Sequence, residues 1–360
     1  MNIAELLNIH PYSLRRADKE KVLDAALNSL SRHHYSTCEP YRRMMNSAGF
    51  DPQREYHYTD LMFLPVQLFK TMELCSVARE ETVRILSSSG TSGQKQSRIF
   101  LDKETAANQG KVLTKVVSSF IGTRRIPMLI VDSESVMKSR YQLPANTAAV
   151  LGFSIFGSQR TFVLNEQMEL DHHRLMAFAE EHKNEQILIF GFTYKVFRYF
   201  YKECQKAGIK PDLSNGVMIH GGGWKKMQRE AVSPAAFKKL GQDVCGLQRV
   251  HDYYGMVEQT GAIYMECEVG HYHASIFSDI IIRRSHDFSA SDIGEEGIIQ
   301  SLSILPHSYP GHSILTEDKG TLLGEDDCPC GRSGKYFNIA GRLEQAEIRG
   351  CSDTHDESFA

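Results

Sequence analysis

Between Ile126 and Tyr254 the chain alternates short, almost wholly apolar runs with longer amphipathic ones, and that rhythm restricts the fold more than any other feature. "IPMLIVD" is followed by a loop and "TAAVLGFSIFG". "HHRLMAFAEEH" precedes "QILIFGF", "YKVFRYFYKECQKAG" leads to "GVMIHGGG", and "KKMQREAVSPAAFKKLG" leads to "LQRVHDYYG". Short apolar runs read as buried strands and the periodic stretches as helices, which predicts a layered α/β domain whose chemistry sits on loops at strand ends. Upstream, residues Ser13 to Arg32 are predicted helical. Leu14, Val22, Leu23, Ala26, Leu27 and Leu30 form an apolar stripe there, and "PYRRMMNSAGF" continues as helix to a glycine stop. Beyond Ile263 the helical pattern fades. "AIYMECE", "SDIIIRR", "GIIQSLSIL" and "HSILTED" read as strands, so the last third is predicted β-rich.

Composition narrows the partners. A formal net charge of −3 over 360 residues gives no electrostatic footprint for nucleic acid or for an anionic membrane surface. No apolar run approaches the roughly 20 residues that span a bilayer. The opening "MNIAELLNIHPYSLRRADKE" is too polar for a signal peptide. Eight cysteines scattered through such a chain point to reduced thiols or metal ligands rather than disulfides, so a cytoplasmic protein is expected.

One stretch does not read as scaffold. "LSSSGTSGQKQSR", Leu86 to Arg98, follows the strand-like "TVRIL" and precedes the helix-like "DKETAANQGKVLTKVVSSF". Glycines let backbone amides approach a ligand, and amides with hydroxyls bind phosphate oxygens. A Walker loop needs four residues between its first glycine and the Gly-Lys pair. Here only Thr91 and Ser92 separate Gly90 from Gly93, and Gln94 intervenes before Lys95. The alternative is an ordinary serine-rich turn.

The run Ser88, Ser89, Gly90, Thr91, Ser92, Gly93 with Lys95 resembles the phosphate-binding signature of adenylate-forming enzymes, and further motifs follow in that family's order. "IHGGGWKK" offers Gly222 and Gly223 at a strand end, where the resemblance implies a turn beside adenine and the acyl group. "HDYYGMVEQTG" offers Tyr254 to stack on adenine, with Gly255 after it, and Glu258 to hold magnesium; Val257 stands where the family usually has threonine. "LTEDKGTLL" offers Asp318 for the ribose hydroxyls, and "IAGRLEQAEIRG" resembles the hinge, with Arg342 reaching the nucleotide. The implied fold is α/β, the large N-terminal domain of an adenylate-forming enzyme with a β-rich subdomain and without the usual small C-terminal domain. Its expected parts are a nucleotide- and acyl-binding core over 1–260, a β-rich subdomain over 261–342 and a short tail over 343–360.

The tail narrows the resemblance. "LPVQLFK", "SSSGTSG", "IFGFTYKVF", "IHGGGWKK", "YYGMVEQTG" and above all "GRLEQAEIRGCSDT" are similar to the LuxE-type acyl-protein synthetases, related to phenylacetate-CoA ligases. That resemblance implies ATP and Mg2+ as cofactors, a fatty or other carboxylic acid as substrate, and an acyl-AMP intermediate. It implies Lys95, Glu258 and Cys351 as catalytic residues, Cys351 accepting the acyl group as a thioester and passing it to a reductase or transferase partner. Arg349 and His355 stand close enough in sequence to lower the thiol pKa. Two other readings remain open: a ligase that loads coenzyme A or a carrier protein, and a nucleotide-binding scaffold without chemistry. Phe190, Phe192, Tyr194 and Phe197 are either an acyl tunnel or plain core.

Finally, "ECEVGHYH" and "DDCPCGRSGKYF" supply Cys267, His273, Cys328 and Cys330, with His271 a rival to His273. Three thiolates and an imidazole would satisfy a structural, tetrahedral Zn2+, and phenylacetate-type ligases carry a similar set. The alternative is two buried cysteines and a solvated pair.

Overall fold

Four of the apolar runs become strands of one parallel sheet, joined at its edge by Gly157–Leu164, and the most apolar of them, Ile126–Ser133, Ile187–Phe192 and Gly216–Gly221, are covered on both faces. Their order across the sheet is Gly157–Leu164, Ile126–Ser133, Ile187–Phe192, Gly216–Gly221, Arg249–Tyr254. The first strand in the chain lies inside the sheet, with one later strand on one side and three on the other. The winding reverses there, and ligands of such sheets bind at the carboxyl ends of the strands. The computed structural model describes residues 1–88, 96–138 and 142–343, which fall into two units: residues 1–119 with those from 255 onward, and residues 120–254.

In the 120–254 unit, Leu129, Val131, Ile187, Ile189 and Met218 turn one sheet face to helices His172–Glu181 and Pro234–Cys245 and to the segment Thr193–Ala207. Phe190 stacks on Phe153 of helix Ala145–Ser154 with ring centroids 4.3 Å apart. Strand alternation puts that pair on the opposite face. Two expected helices are interrupted. In "YKVFRYFYKECQKAG" a wider π-type turn, Val196–Tyr201, buries Val196, Phe197, Phe200 and Tyr201 together. In "KKMQREAVSPAAFKKLG" a new helix starts at Pro234, capped by Ser233, whose Oγ accepts from Ala236 N at 3.2 Å. Pro234 has no N–H to continue the preceding turns.

The other unit is β-rich where expected. Strands Ser278–Arg283, Glu296–Ser303, Ser313–Glu325, Lys335–Arg342, Tyr272–His273 and Tyr264–Glu266 follow one another as antiparallel neighbours. Leu64–Pro65 joins Ser313–Glu325 in parallel, and Thr82–Ser87 pairs with Arg98–Asp102 as a hairpin. Helix Arg16–Thr37 lays Val22, Leu23, Leu27 and Leu30 into the core. It is tied to the sheet by buried charge: Lys19 lies 3.3 Å from one Asp279 oxygen and Lys335 2.9 Å from the other. Among the described residues no helix is long and apolar enough to cross a membrane.

Candidate active site

The hairpin Thr82–Ser87/Arg98–Asp102 carries the hydroxyl-rich loop at its open end. Ser88 and Ser97 close its base: Ser88 N donates to Ser97 O at 3.2 Å, and Ser97 N donates to Ser88 Oγ at 2.9 Å. Ser89, Gly90, Thr91, Ser92, Gly93 and Lys95 lie outside the described residues, as does Cys351.

Glu258 sits in the short turn Val257–Gln259 and is 3% exposed. Burial raises its carboxyl pKa, and Glu317 adds to that; the Ser97 hydroxyl, the residue's own backbone and the Lys70 ammonium act the other way. The turn is held from behind. Gln259 Nε2 donates to Ser301 O at 3.0 Å and Gly311 O at 2.7 Å, and Gln259 Oε1 accepts from Ser301 Oγ. Gly311 must be glycine, since a Cβ there would lie 2.8 Å from Glu258 O and 2.2 Å from the Tyr309 ring.

Asp318 and Arg342 are partners across neighbouring strands, Arg342 Nε lying 3.3 Å from Asp318 Oδ1. Beside them Gln67 Nε2 donates to Glu317 Oε1 at 2.6 Å. The unit thus brings together the base of the loop, Glu258 and the stretch leading to Asp318. Lys70, Ser97, Gln259 and Gly311 were not singled out from sequence. Lys70, Ser97 and Gln259 lie inside "LPVQLFK", "LSSSGTSGQKQSR" and "YYGMVEQTG", whereas Gly311 lies in none of the motifs.

The other unit carries the glycine turn. A Cβ on Gly221 would meet the Tyr253 ring at 2.6 Å, and one on Gly222 would meet Phe192 at 2.7 Å. Gly222 and Gly223 have φ of +85° and +63°, conformations that favour glycine. Tyr254 ends the adjacent strand and Gly255 follows it, exposed, in the chain. Just before the turn His220 is buried, its Nδ1 2.9 Å from Thr193 Oγ1, and burial lowers its pKa to about 3. Of the four aromatics considered for an acyl tunnel, Tyr194 and Phe197 pack in the helix-side core, while Phe190 and Phe192 are ring neighbours elsewhere on their strand.

The cysteine and histidine set is compact. The ligand atoms of Cys267, His273, Cys328 and Cys330 all lie within 4.8 Å of one another. Cys330 Sγ is 3.3 Å from His273 Nε2, and His271 Nδ1 is 3.4 Å from Cys328 Sγ. Tight turns present the thiols: Gly270 N donates to Cys267 O and Gly331 N to Cys328 O, each at 2.9 Å. Burial pushes the Cys328 thiol up to about 12 and the His273 imidazole down to about 4, so the ring is neutral with a lone pair to give. A tetrahedral zinc with Zn–S of about 2.3 Å separates its sulfurs by about 3.8 Å, within the 4.8 Å that bounds these ligand atoms. His273 Nδ1 is buried without a hydrogen-bond partner among the described residues.

The acyl-protein synthetase (LuxE) family profile matches residues 2–360. Among curated proteins none matches. Solved structures share the fold at low identity. A 2-hydroxyisobutyryl-CoA ligase in the postadenylation state, in complex with 2-HIB-AMP, superposes with a TM-score of 0.71 at 14% identity, covering 93% of this chain and 70% of that one. A long-chain-fatty-acid-CoA ligase from Archaeoglobus fulgidus gives a TM-score of 0.50 at 14% identity, covering 74% of this chain and 53% of that one. The sheet order, the hydroxyl hairpin and the terminal block therefore have one explanation at family level: the chain belongs to the LuxE acyl-protein synthetase family.

Proposed function

We propose that this protein activates a long-chain fatty acid with ATP and transfers the acyl group to its own Cys351. One observation carries the reading: within a single unit, the Glu258 carboxylate, 3% exposed, is buried near Ser97 at the base of the hydroxyl-rich loop, whose hydroxyl has no hydrogen-bond partner among the described residues. A carboxylate made costly by burial is a strong partner for a hard cation, and a loop of hydroxyls and glycines suits phosphate.

In this reading Lys95 and the residues of the loop from Ser88 to Gly93 bind the triphosphate. Asp318, aligned with Arg342, takes the ribose hydroxyls, and Tyr254 stacks on adenine beside the turn of Gly222 and Gly223. Magnesium, when bound at Glu258, supplies positive charge to the phosphates. The substrate carboxylate oxygen bonds to the α-phosphorus, and pyrophosphate leaves with the bonding pair. The Cys351 thiolate then attacks the acyl carbonyl, AMP leaves, and the thiol proton passes to solvent. The thioester keeps the acyl group activated for delivery to a reductase or transferase. Phe153, Phe190 and Phe192, ring neighbours that run from helix Ala145–Ser154 to the end of strand Ile187–Phe192, favour an apolar acid. We further propose that Cys267, His273, Cys328 and Cys330 hold a structural zinc, since their donor set and compactness fit it.

The test is pyrophosphate exchange and covalent labelling. Wild-type protein should exchange pyrophosphate into ATP in the presence of long-chain fatty acid and take up radioactive acyl label without coenzyme A. Cys351→Ser should keep the exchange and lose the label. Persistent labelling would remove Cys351 from the mechanism, and an absolute need for coenzyme A would turn the reading to a CoA ligase.

A further inference from the structure

"LPVQLFK", Leu64 to Lys70, plays no part in the chemistry derived so far, yet it is fixed against three pieces of the site's unit. Leu64 and Pro65 pair in parallel with Ile314 and Leu315, and Val66 N donates to Leu315 O at 2.9 Å. Gln67 continues along the same strand to Glu317, the residue before Asp318. The short helix Leu68–Thr71 packs on strand Arg98–Asp102, which leaves the hydroxyl-rich loop. Phe69 meets the Tyr309 ring edge-on at 6.4 Å, and Tyr309 in turn crowds Gly311 behind Glu258. Lys70 therefore stands where the strand after Ser97, the Glu258 turn and the approach to Asp318 converge.

Its charge is available. Lys70 is half-buried, and among the described residues its ammonium makes no hydrogen bond or ion pair. The nearby acids have other partners: Glu73 lies 2.8 Å from Arg79 and 3.6 Å from Arg98, and Glu317 accepts from Gln67. The Lys70 ammonium acts on the Glu258 carboxylate across the same unit. A half-buried ammonium without an ion-pair partner, on a segment pinned at both ends, suits an anion of several charges.

We infer that Lys70 binds the triphosphate of the nucleotide, facing the phosphates from the Glu258 side and steadying the pyrophosphate as it leaves. The inference rests on the adenylation reading above and adds a phosphate-binding residue to it. As the carboxylate oxygen bonds to the α-phosphorus and the bond to the bridging oxygen breaks, charge builds on the departing pyrophosphate, where a fixed cation stabilises it.

Calorimetric MgATP binding and acid-dependent pyrophosphate exchange, run on wild type, Lys70→Met, Lys70→Gln and Lys70→Arg, test it, with circular dichroism melts to certify folding. Loss of a charge-assisted phosphate contact should weaken MgATP binding and raise its KM by about 10-fold or more in the Met and Gln variants, leave the fatty-acid KM within about 2-fold, and spare the Arg variant most of the loss. Folded Met or Gln variants that bind MgATP within about 2-fold of wild type would overturn the assignment. Wild type that binds MgATP but supports no exchange with any acid would instead overturn the adenylation reading, and the binding shift alone would then decide Lys70.

Discussion

Gln259 uses its whole amide on other parts of the fold: both N–H groups go to the carbonyls of Ser301 and Gly311, and its oxygen takes the Ser301 hydroxyl. The side chain is 2% exposed, so water cannot replace these bonds. Removing them leaves buried carbonyls unpaired at about 1–3 kcal/mol each. Gln259→Leu should therefore lower the melting temperature. Because Glu258 shares the same turn, it should also raise the KM for MgATP by about 5-fold to 10-fold while the acid KM holds. Melting curves and the two KM values measure this. A lowered melting temperature with an unchanged nucleotide KM would make Gln259 part of the scaffold alone. Glu258 was singled out in "YYGMVEQTG" through the resemblance of that stretch to the motif of adenylate-forming enzymes. Gln259 was not, since an amide becomes informative only once its partners, 42 and 52 positions away, are known.

At the scale of elements, the cysteine knuckles link the hairpin Tyr264–Glu266/Tyr272–His273 to the connection between strands Ser313–Glu325 and Lys335–Arg342. Their spacing in sequence did not decide between a metal set and a chance grouping, because ligands from two distant segments count only if the fold joins them. The antiparallel pairing of Tyr272 with Phe337 and of His273 with Tyr336 does so. Purified protein should carry about one equivalent of zinc, and Cys328→Ser or a strong chelator should lower the melting temperature while removing it. Zinc below about half an equivalent, or chelation without any change in melting, would reject a structural metal there. Elsewhere, legibility followed burial. Strands Ile187–Phe192 and Gly216–Gly221 are buried at every residue, so their continuous apolar runs were plain in the sequence. The breaks at Val196–Tyr201 and Pro234 were missed because periodicity alone cannot distinguish one long helix from two packed against the same core.

For the whole molecule, the chemistry proposed needs Cys351 to reach an acyl-adenylate made on the same chain. Leu343, the last described residue, is held by its N–H to Glu317 O at 2.9 Å, next to the Asp318–Arg342 pair. Eight residue steps from there, fully extended, span at most about 28 Å, so the thiol can lie no farther than that from the backbone at Leu343, beside Asp318. A tether of that length gives an effective concentration of order millimolar, against micromolar for a thiol on a second molecule. Loading should then occur within one chain. Mixing Glu258→Gln, which keeps the thiol but loses the proposed cation site, with Cys351→Ser, which on the proposed mechanism adenylates without an acceptor, should give no more acyl label than either variant alone. Label on the Glu258→Gln chain in the mixture, rising with the concentration of Cys351→Ser, would mean that the acyl group travels between molecules, and the tether would then serve delivery to the acceptor rather than loading.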